Sequence, residues 1–169
     1  NNIIRQAGAA YVLAQAANYY DDKSYFEASR KAVDGILAFS KIEVNGGETK
    51  RFIFYQNEIK TNANALSILA ITELAKKNEN FANTYLKSAK ELANHILASQ
   101  SYEGLFNNRY DSKRNRFLLS PDDYNNGESL LALVRLYKLE PDASYLKSAQ
   151  ISADAFLKYY SHEWNRSFY

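Results

Sequence analysis

Apolar residues recur at helical intervals in three segments of the chain that align with one another without gaps. The segments begin at Tyr25, Tyr85 and Tyr145, so they are spaced 60 residues apart both times. In the second copy, YLKSAKELANHIL, one face of a helix carries the apolar and small residues Tyr85, Leu86, Ala89, Leu92, Ala93, Ile96 and Leu97. A pattern that buries the same face three times predicts a repeated unit in which each copy covers its neighbour. We expect the three tyrosines to occupy equivalent, buried positions.

A second helical segment precedes each of these copies. The three segments are AGAAYVLAQAANYY, TNANALSILAITELAKK and NNGESLLALVRLYKLE, and short connections to the following helix indicate antiparallel hairpins. These helices are apolar or small on nearly every side, which predicts an inner layer, whereas the second helices carry a charged face and are expected to lie outside. On that charged face we expect Lys87, Lys90, Glu91 and Asn94 to contact water and His95 to be a surface residue.

The pattern predicts an all-α fold of three antiparallel hairpins in a single domain over residues 1–169, with repeats at about 3–40, 61–100 and 126–160. Two long connections, 41–60 and 101–125, separate the hairpins. The stretch IEVNGGETKRFIFY surrounds an Asn-Gly turn and GLFNNRYDSKRNRFLL surrounds residues 111–115, so each predicts a small β-hairpin. Because each connection runs from an outer helix to the next inner helix, both must lie at one end, which is the candidate functional face.

Composition narrows the range of functions. The chain is 46% hydrophobic and 24% charged, which is typical of a globular protein. Its 21 basic and 19 acidic residues are mixed along the chain, so they create no focused region of positive charge. We therefore do not expect nucleic acid to be a partner. We expect no membrane span, because no apolar run approaches about 18–20 residues. The chain has no cysteine and only two histidines, so we expect no zinc site, and we predict no cofactor. The absence of cysteine also means that the sequence does not distinguish a cytoplasmic from an exported protein.

The inner-helix segments RQAGAAYVLAQA, TNANALSILAITELA and YNNGESLLALVRLY resemble those of bacterial (α/α) toroid proteins, the six-hairpin glycosidase-like group. The resemblance implies a ring of inner and outer helices, with a cavity at the N-terminal ends of the inner helices where sugars or polysaccharides bind. Three hairpins are part of such a ring. We therefore expect an apolar side to be uncovered on the first or last hairpin, and either a second copy of the chain or hairpins absent from this sequence to complete the ring.

The predicted functional end collects aromatic, amide and guanidinium side chains. Aromatic faces stack on sugar rings, and amide and guanidinium groups hydrogen-bond sugar hydroxyls. The candidate substrate-binding residues are Arg5, Gln6, Tyr55, Asn57, Asn64, Phe106, Arg109, Tyr110, Tyr124, Asn126 and Trp164. An alternative interpretation is structural. In it, the aromatic residues pack the β-hairpins onto helix ends, and the polar residues at the starts of inner helices cap them.

Four carboxylates are candidate catalytic groups, namely Glu58, Asp122, Asp123 and Glu128. Glycoside hydrolysis uses two carboxyl groups roughly 5 to 10 Å apart, one protonated and one ionised. All four lie before or at the start of an inner helix, although turns, caps and the helix dipole also favour acids there. The leading hypothesis is a carbohydrate-active toroid domain, a glycoside hydrolase or lyase-like enzyme with an aromatic-lined cleft. The alternatives are a noncatalytic repeat module that binds a glycan or a protein, and an inactive fragment of a larger toroid.

Overall fold

The structure is a computed structural model that describes residues 2–111, 114, 116–121 and 123–162. These residues form the helices α1 (Ile3–Tyr20), α2 (Lys23–Leu37), α3 (Thr61–Ala75), α4 (Glu79–Ser99), α5 (Asp123–Tyr137) and α6 (Ala143–His162). They also form the strands β1 (Ser40–Asn45), β2 (Glu48–Tyr55), β3 (Glu58–Ile59), β4 (Asn107–Asp111) and β5 (Arg116–Pro121). The strands lie in the two long connections, so the predicted fold class of three helical hairpins with small β-hairpins between them is confirmed.

Short polar side chains determine where several helices begin. Asn2 accepts hydrogen bonds from the first turn of α1, Asp22 accepts one from the Ser24 amide at 2.7 Å, and Asn78 accepts one from the Phe81 amide at 2.8 Å. Each acceptor satisfies an N–H group that has no partner within its own helix. The caps on α2 and α4 follow the preceding inner helix by one to three residues, which makes each pair an antiparallel hairpin.

The inner layer consists of α1, α3 and α5. Helix α3 packs against α1 on one side and α5 on the other, and every residue of α3 is buried. Helices α2, α4 and α6 pack outside their own inner partners. This position explains why apolar or small residues lie on nearly every side of TNANALSILAITELA, since a helix surrounded by neighbours has no solvent-facing side. The predicted assignment of inner and outer helices is confirmed.

Both connections fold as predicted β-hairpins. In the first, β1 and β2 are antiparallel. The two-residue loop is Gly46 and Gly47, with φ values of 58° and 84°, and not the expected Asn-Gly pair, because Asn45 is paired with Glu48. Two positive φ angles define the turn that matches the twist of paired strands, and glycine adopts them without steric cost. In the second, β4 pairs with β5. An isolated bridge between Lys60 and Arg109 joins the two connections, which places them side by side as expected.

The predicted solvent exposure of the α4 polar face is wrong for Glu91 and His95, which are buried, and Asn94 is half-buried. His95 is only 2% exposed, Glu91 is buried against Arg51 with 2.8 Å between Oε2 and Nε, and the Asn94 amide donates to the carbonyl of Thr49. The reason is that β2 packs along α4 and covers this face. A helical pattern records which residues are polar, but it does not record that a strand from another part of the chain will cover them.

The three equivalent tyrosines of the outer helices differ in their exposure to solvent. Tyr145 is buried and Tyr85 half-buried, but Tyr25 is 38% exposed, so the prediction that it would be buried is wrong. Tyr25 belongs to α2, the outer helix of the first hairpin. The same hairpin exposes Val12 (62%) and Tyr19 (83%) of α1. The first hairpin thus leaves apolar side chains uncovered, as expected for a terminal unit.

Candidate functional site

Two adjoining cavities lie at the N-terminal ends of α1 and α3. The first, here called the α1 cavity, has a volume of about 130 Å³ and lies between the start of α1 and the strands β2 and β3. The second, here called the hairpin cavity, has a volume of about 230 Å³ and lies between β3 and the β4–β5 hairpin. Glu58 and Lys60 line both cavities. This pair therefore forms the wall that the two cavities share.

The Glu58 carboxylate and the Lys60 ammonium form an ion pair, with 3.2 Å between Oε2 and Nζ. Both side chains are substantially exposed, so water screens their attraction and the pair adds little to stability. Residues two apart in an extended segment point to the same side, which explains why Lys60 lies beside Glu58. The sequence analysis did not select Lys60, although this two-residue spacing was the signal that would have found it.

The turn between β2 and β3 brings Asn57 to the hairpin cavity. Tyr55 pairs with Glu58, so Gln56 and Asn57 form a two-residue loop with φ values of 53° and 63°. Asparagine tolerates this left-handed region, but a glutamine there has a steric cost. Backbone strain of this kind concentrates at functional sites, and this loop is next to both cavities.

Each cavity is lined by one tyrosine. The half-buried Tyr55 lines the α1 cavity and meets the Phe39 ring edge-on, with 5.0 Å between ring centroids. Tyr110 lines the hairpin cavity, and its hydroxyl donates to Glu43 Oε2 at 3.2 Å. Burial, followed by the negative charge of Glu43, raises the pKa of Tyr110 to about 12. Its phenol therefore stays protonated and can act as a hydrogen-bond donor at any physiological pH.

Beneath Tyr110, a buried cluster joins the two β-hairpins to α4. The His95 ring packs against Phe52 of the first hairpin at 5.4 Å, and against Tyr110 at 5.5 Å and Phe117 at 5.0 Å in the second. Burial, with a smaller contribution from Lys50, lowers the pKa of His95 from 6.5 to about 3. His95 is thus a neutral core residue that supports the cavity wall.

Three predicted site residues are buried and line neither cavity. Asn64 and Phe106 are completely buried, and Asn126 is nearly so. The Asn64 Oδ1 accepts a hydrogen bond from the Ile53 amide at 3.0 Å, and the Asn126 Oδ1 accepts one from the Phe106 amide at 2.6 Å. The structural interpretation expected these amides to cap their own helices, but these two hydrogen bonds reach outside the helix. Each one holds a connection from another part of the chain.

The remaining predicted residues divide into three groups. Arg109 is exposed and lines the hairpin cavity together with Asn57 and Tyr110. Arg5, Gln6, Tyr124 and Glu128 lie near the starts of α1 and α5 and line neither cavity, with Tyr124 strongly exposed and Glu128 half-buried. Asp123 begins α5, whereas Asp122 and Trp164 lie outside the described residues. The structure therefore brings together Tyr55, Asn57, Glu58, Arg109 and Tyr110.

The described part of the chain contains neither a metal-binding cluster of the usual ligands nor a membrane-spanning helix. Within it, no group of three or more His, Cys, Asp or Glu side chains is arranged to hold a metal ion. None of its helices has both the length and the apolar character needed to cross a membrane. The arrangement offers aromatic faces, amide groups, a guanidinium group, an ammonium group and the carboxylates of Glu58 and Asp111 around two open cavities.

The comparisons with known proteins identify the fold. No protein-family model matches the chain, and no curated protein matches it. Among solved structures, the chain is similar to a GH76 α-mannanase of Bacteroides thetaiotaomicron, with a TM-score of 0.75, 16% sequence identity, and coverage of 93% of this chain and 44% of the mannanase. It is also similar to a D-mannose isomerase, with a TM-score of 0.71, 14% identity, and coverage of 96% of this chain and 43% of the isomerase.

Both solved structures are (α/α) toroids with the six-hairpin glycosidase-like fold, so the chain has part of that fold, as the inner-helix segments predicted. It spans less than half the length of either structure. At these identities the similarity shows the fold alone, and the chemistry has to be argued from the site.

Proposed function

We propose that this chain is a carbohydrate-binding part of an (α/α) toroid and that its ligand lies across the α1 cavity and the hairpin cavity. The observation that carries the proposal is the grouping of Tyr55, Asn57, Arg109 and Tyr110 around the wall formed by Glu58 and Lys60. An aromatic face, an amide and a guanidinium group are the side chains with which proteins stack on sugar rings and hydrogen-bond their hydroxyls. The two similar structures are named for a mannan and for mannose, so mannose-containing oligosaccharides are the first ligands to test.

The enzymatic form of this proposal is a glycoside hydrolase or lyase-like activity. Glu58 is its acid/base group, because it is the candidate carboxylate that lines the cavities. A second carboxylate is required. The sequence candidates for it are Asp123 and Glu128, which belong to α5, and Asp122, which lies outside the described residues.

The noncatalytic form is favoured by one observation, the ion pair between Glu58 and Lys60. The Lys60 ammonium lies 3.2 Å from Glu58 Oε2, so the carboxylate already has an ion-pair partner on the shared cavity wall. In that case Glu58 is a hydrogen-bond acceptor for a sugar hydroxyl, and the domain binds a glycan without cleaving it.

A binding titration followed by product analysis separates the two forms. We would titrate the protein with manno-oligosaccharides by calorimetry and then incubate the same mixtures and separate the products by chromatography. An enzyme should lose at least about 100-fold in turnover in Glu58→Gln while it retains binding. A noncatalytic module should bind without forming product, and Tyr55→Ala should weaken its affinity about tenfold.

Glu48→Gln is the matched control, because Glu48 forms a similar exposed ion pair with Lys50 and lines neither cavity. Its binding and turnover should equal those of the wild type. Absence of any saccharide binding at millimolar concentration would contradict the proposal in both forms.

A further inference from the structure

The first turn of α3 holds both long connections at once. The Asn64 Oδ1 accepts a hydrogen bond from the Ile53 amide in the first connection at 3.0 Å. The Thr61 hydroxyl donates to the carbonyl of Asn107 in the second connection at 2.8 Å, and the Asn62 amide donates to the Asn108 side chain at 3.3 Å. This helical turn, in which Ala63 lines the α1 cavity, thus forms hydrogen bonds with both long connections.

The start of α5 repeats part of this arrangement. Asn126 is the fourth residue of α5, as Asn64 is of α3, and it accepts from the amide of Phe106, in the connection that precedes its helix. The neighbouring Asn125 donates to the carbonyl of Phe106 at 3.0 Å. Both backbone amides are buried, and a buried N–H without an acceptor is costly. The asparagine oxygens are therefore required to hold the connections against the first turns of α3 and α5, an arrangement that we call the seating of the connections.

These hydrogen bonds lie close to the side chains that surround the cavities. Ile53 itself lines the α1 cavity and precedes Tyr55 by two residues, and Phe106 precedes Arg109 by three. We propose that Asn64 and Asn126 are positioning residues of the candidate site, which act by seating the two connections on the starts of the inner helices. This inference rests on the proposed glycan binding. Whether Asn64 and Asn126 hold the connections in place can nevertheless be tested without a ligand.

The Asn64 side chain offers a discriminating substitution. Its Nδ2 is buried and has no hydrogen-bond partner in the described part of the chain, so only its oxygen holds the connection. Asn64→Asp keeps an acceptor at that position, and Asn64→Ala removes it. Ser67→Ala is the matched control, because Ser67 is a buried polar residue of the same helix whose hydroxyl donates within the helix, to Ala63.

Amide hydrogen exchange measured by NMR tests the seating. In Asn64→Ala, the Ile53 amide should exchange about tenfold faster than in the wild type while amides in the middle of α3 keep their rates. Asn64→Asp should restore most of the protection, and Ser67→Ala should leave Ile53 unchanged. Asn126→Ala should produce the same effect at Phe106. Unchanged exchange at both amides would overturn the proposal.

Affinity for manno-oligosaccharides tests the consequence for the site. We expect Asn64→Ala to bind about tenfold more weakly, Asn64→Asp to recover, and Ser67→Ala to bind as the wild type does. Equal affinity in Asn64→Ala and the wild type, or an equal loss in Ser67→Ala, would overturn the positioning role. If the wild type binds no saccharide, the proposed function has failed, and faster Ile53 exchange confined to the connection would still support the seating.

Discussion

His95 offers the sharpest test of the packing between the connections and α4. Its ring is buried among Phe52, Tyr110 and Phe117, and its pKa is lowered from 6.5 to about 3. Between those two pH values the unfolded chain binds a proton that the folded chain does not. The contribution of His95 to stability is therefore complete above pH 6.5 and is lost as the pH falls toward 3. At pH 5 the loss amounts to about 2 kcal/mol.

The assay is urea unfolding followed by circular dichroism at pH 7.5, 6 and 5, for the wild type and for His95→Phe. Phenylalanine fits an aromatic cluster and cannot titrate, so we expect a small stability difference at pH 7.5. His95→Phe should gain about 2 kcal/mol relative to the wild type at pH 5. Other titrating groups cancel in the difference, and Ile96→Val, a fully buried neighbour with no titrating group, should show no such trend. A difference between the wild type and His95→Phe that stays constant within about 0.5 kcal/mol would refute the buried, neutral histidine.

Three further predictions concern other parts of the fold. Leu92→Ala should lower the free energy of unfolding by about 2 to 5 kcal/mol in urea titrations, because Leu92 is completely buried at the centre of α4, and a loss below about 1 kcal/mol would contradict that position. Gln56→Gly should stabilise the chain by about 0.5 to 1 kcal/mol, and Gly46→Ala should destabilise it by about 1 kcal/mol, since both positions have left-handed backbone; equal effects in the two variants would be inconsistent with this. Val12→Glu should abolish any self-association seen in sedimentation velocity while changing stability by less than about 0.5 kcal/mol, because Val12 is 62% exposed on α1; a wild type that sediments as a monomer at every concentration would contradict completion of the ring by a second copy.

Local patterns were sufficient to predict the hairpins and their layers. The burial of α3 follows from TNANALSILAITELA, in which apolar or small residues lie on nearly every side. A tight turn was predictable from Asn-Gly-Gly, although the loop residues are Gly46 and Gly47 and not the expected Asn-Gly pair. Both signals depend on interactions among residues close in sequence, so they can be read without knowing the rest of the fold. The aromatic and polar character of the candidate site was predictable for the same reason, because Tyr55, Asn57 and Arg109 all belong to the connections.

Tertiary structure decided which of those residues meet. His95 is buried because Phe52 and Tyr110 come from connections on either side of it in the sequence, whereas Tyr25, the equivalent of the buried Tyr145, is exposed on the first hairpin. Asn64 supports the site because it accepts a hydrogen bond from the Ile53 amide. Each outcome depends on contacts between segments far apart in the chain, where the periodicity of a single helix carries no information. The sequence by itself therefore determined the repeating unit and its turns, and only the packing of the connections against α3 and α4 determined which polar side chains are buried and which surround a cavity.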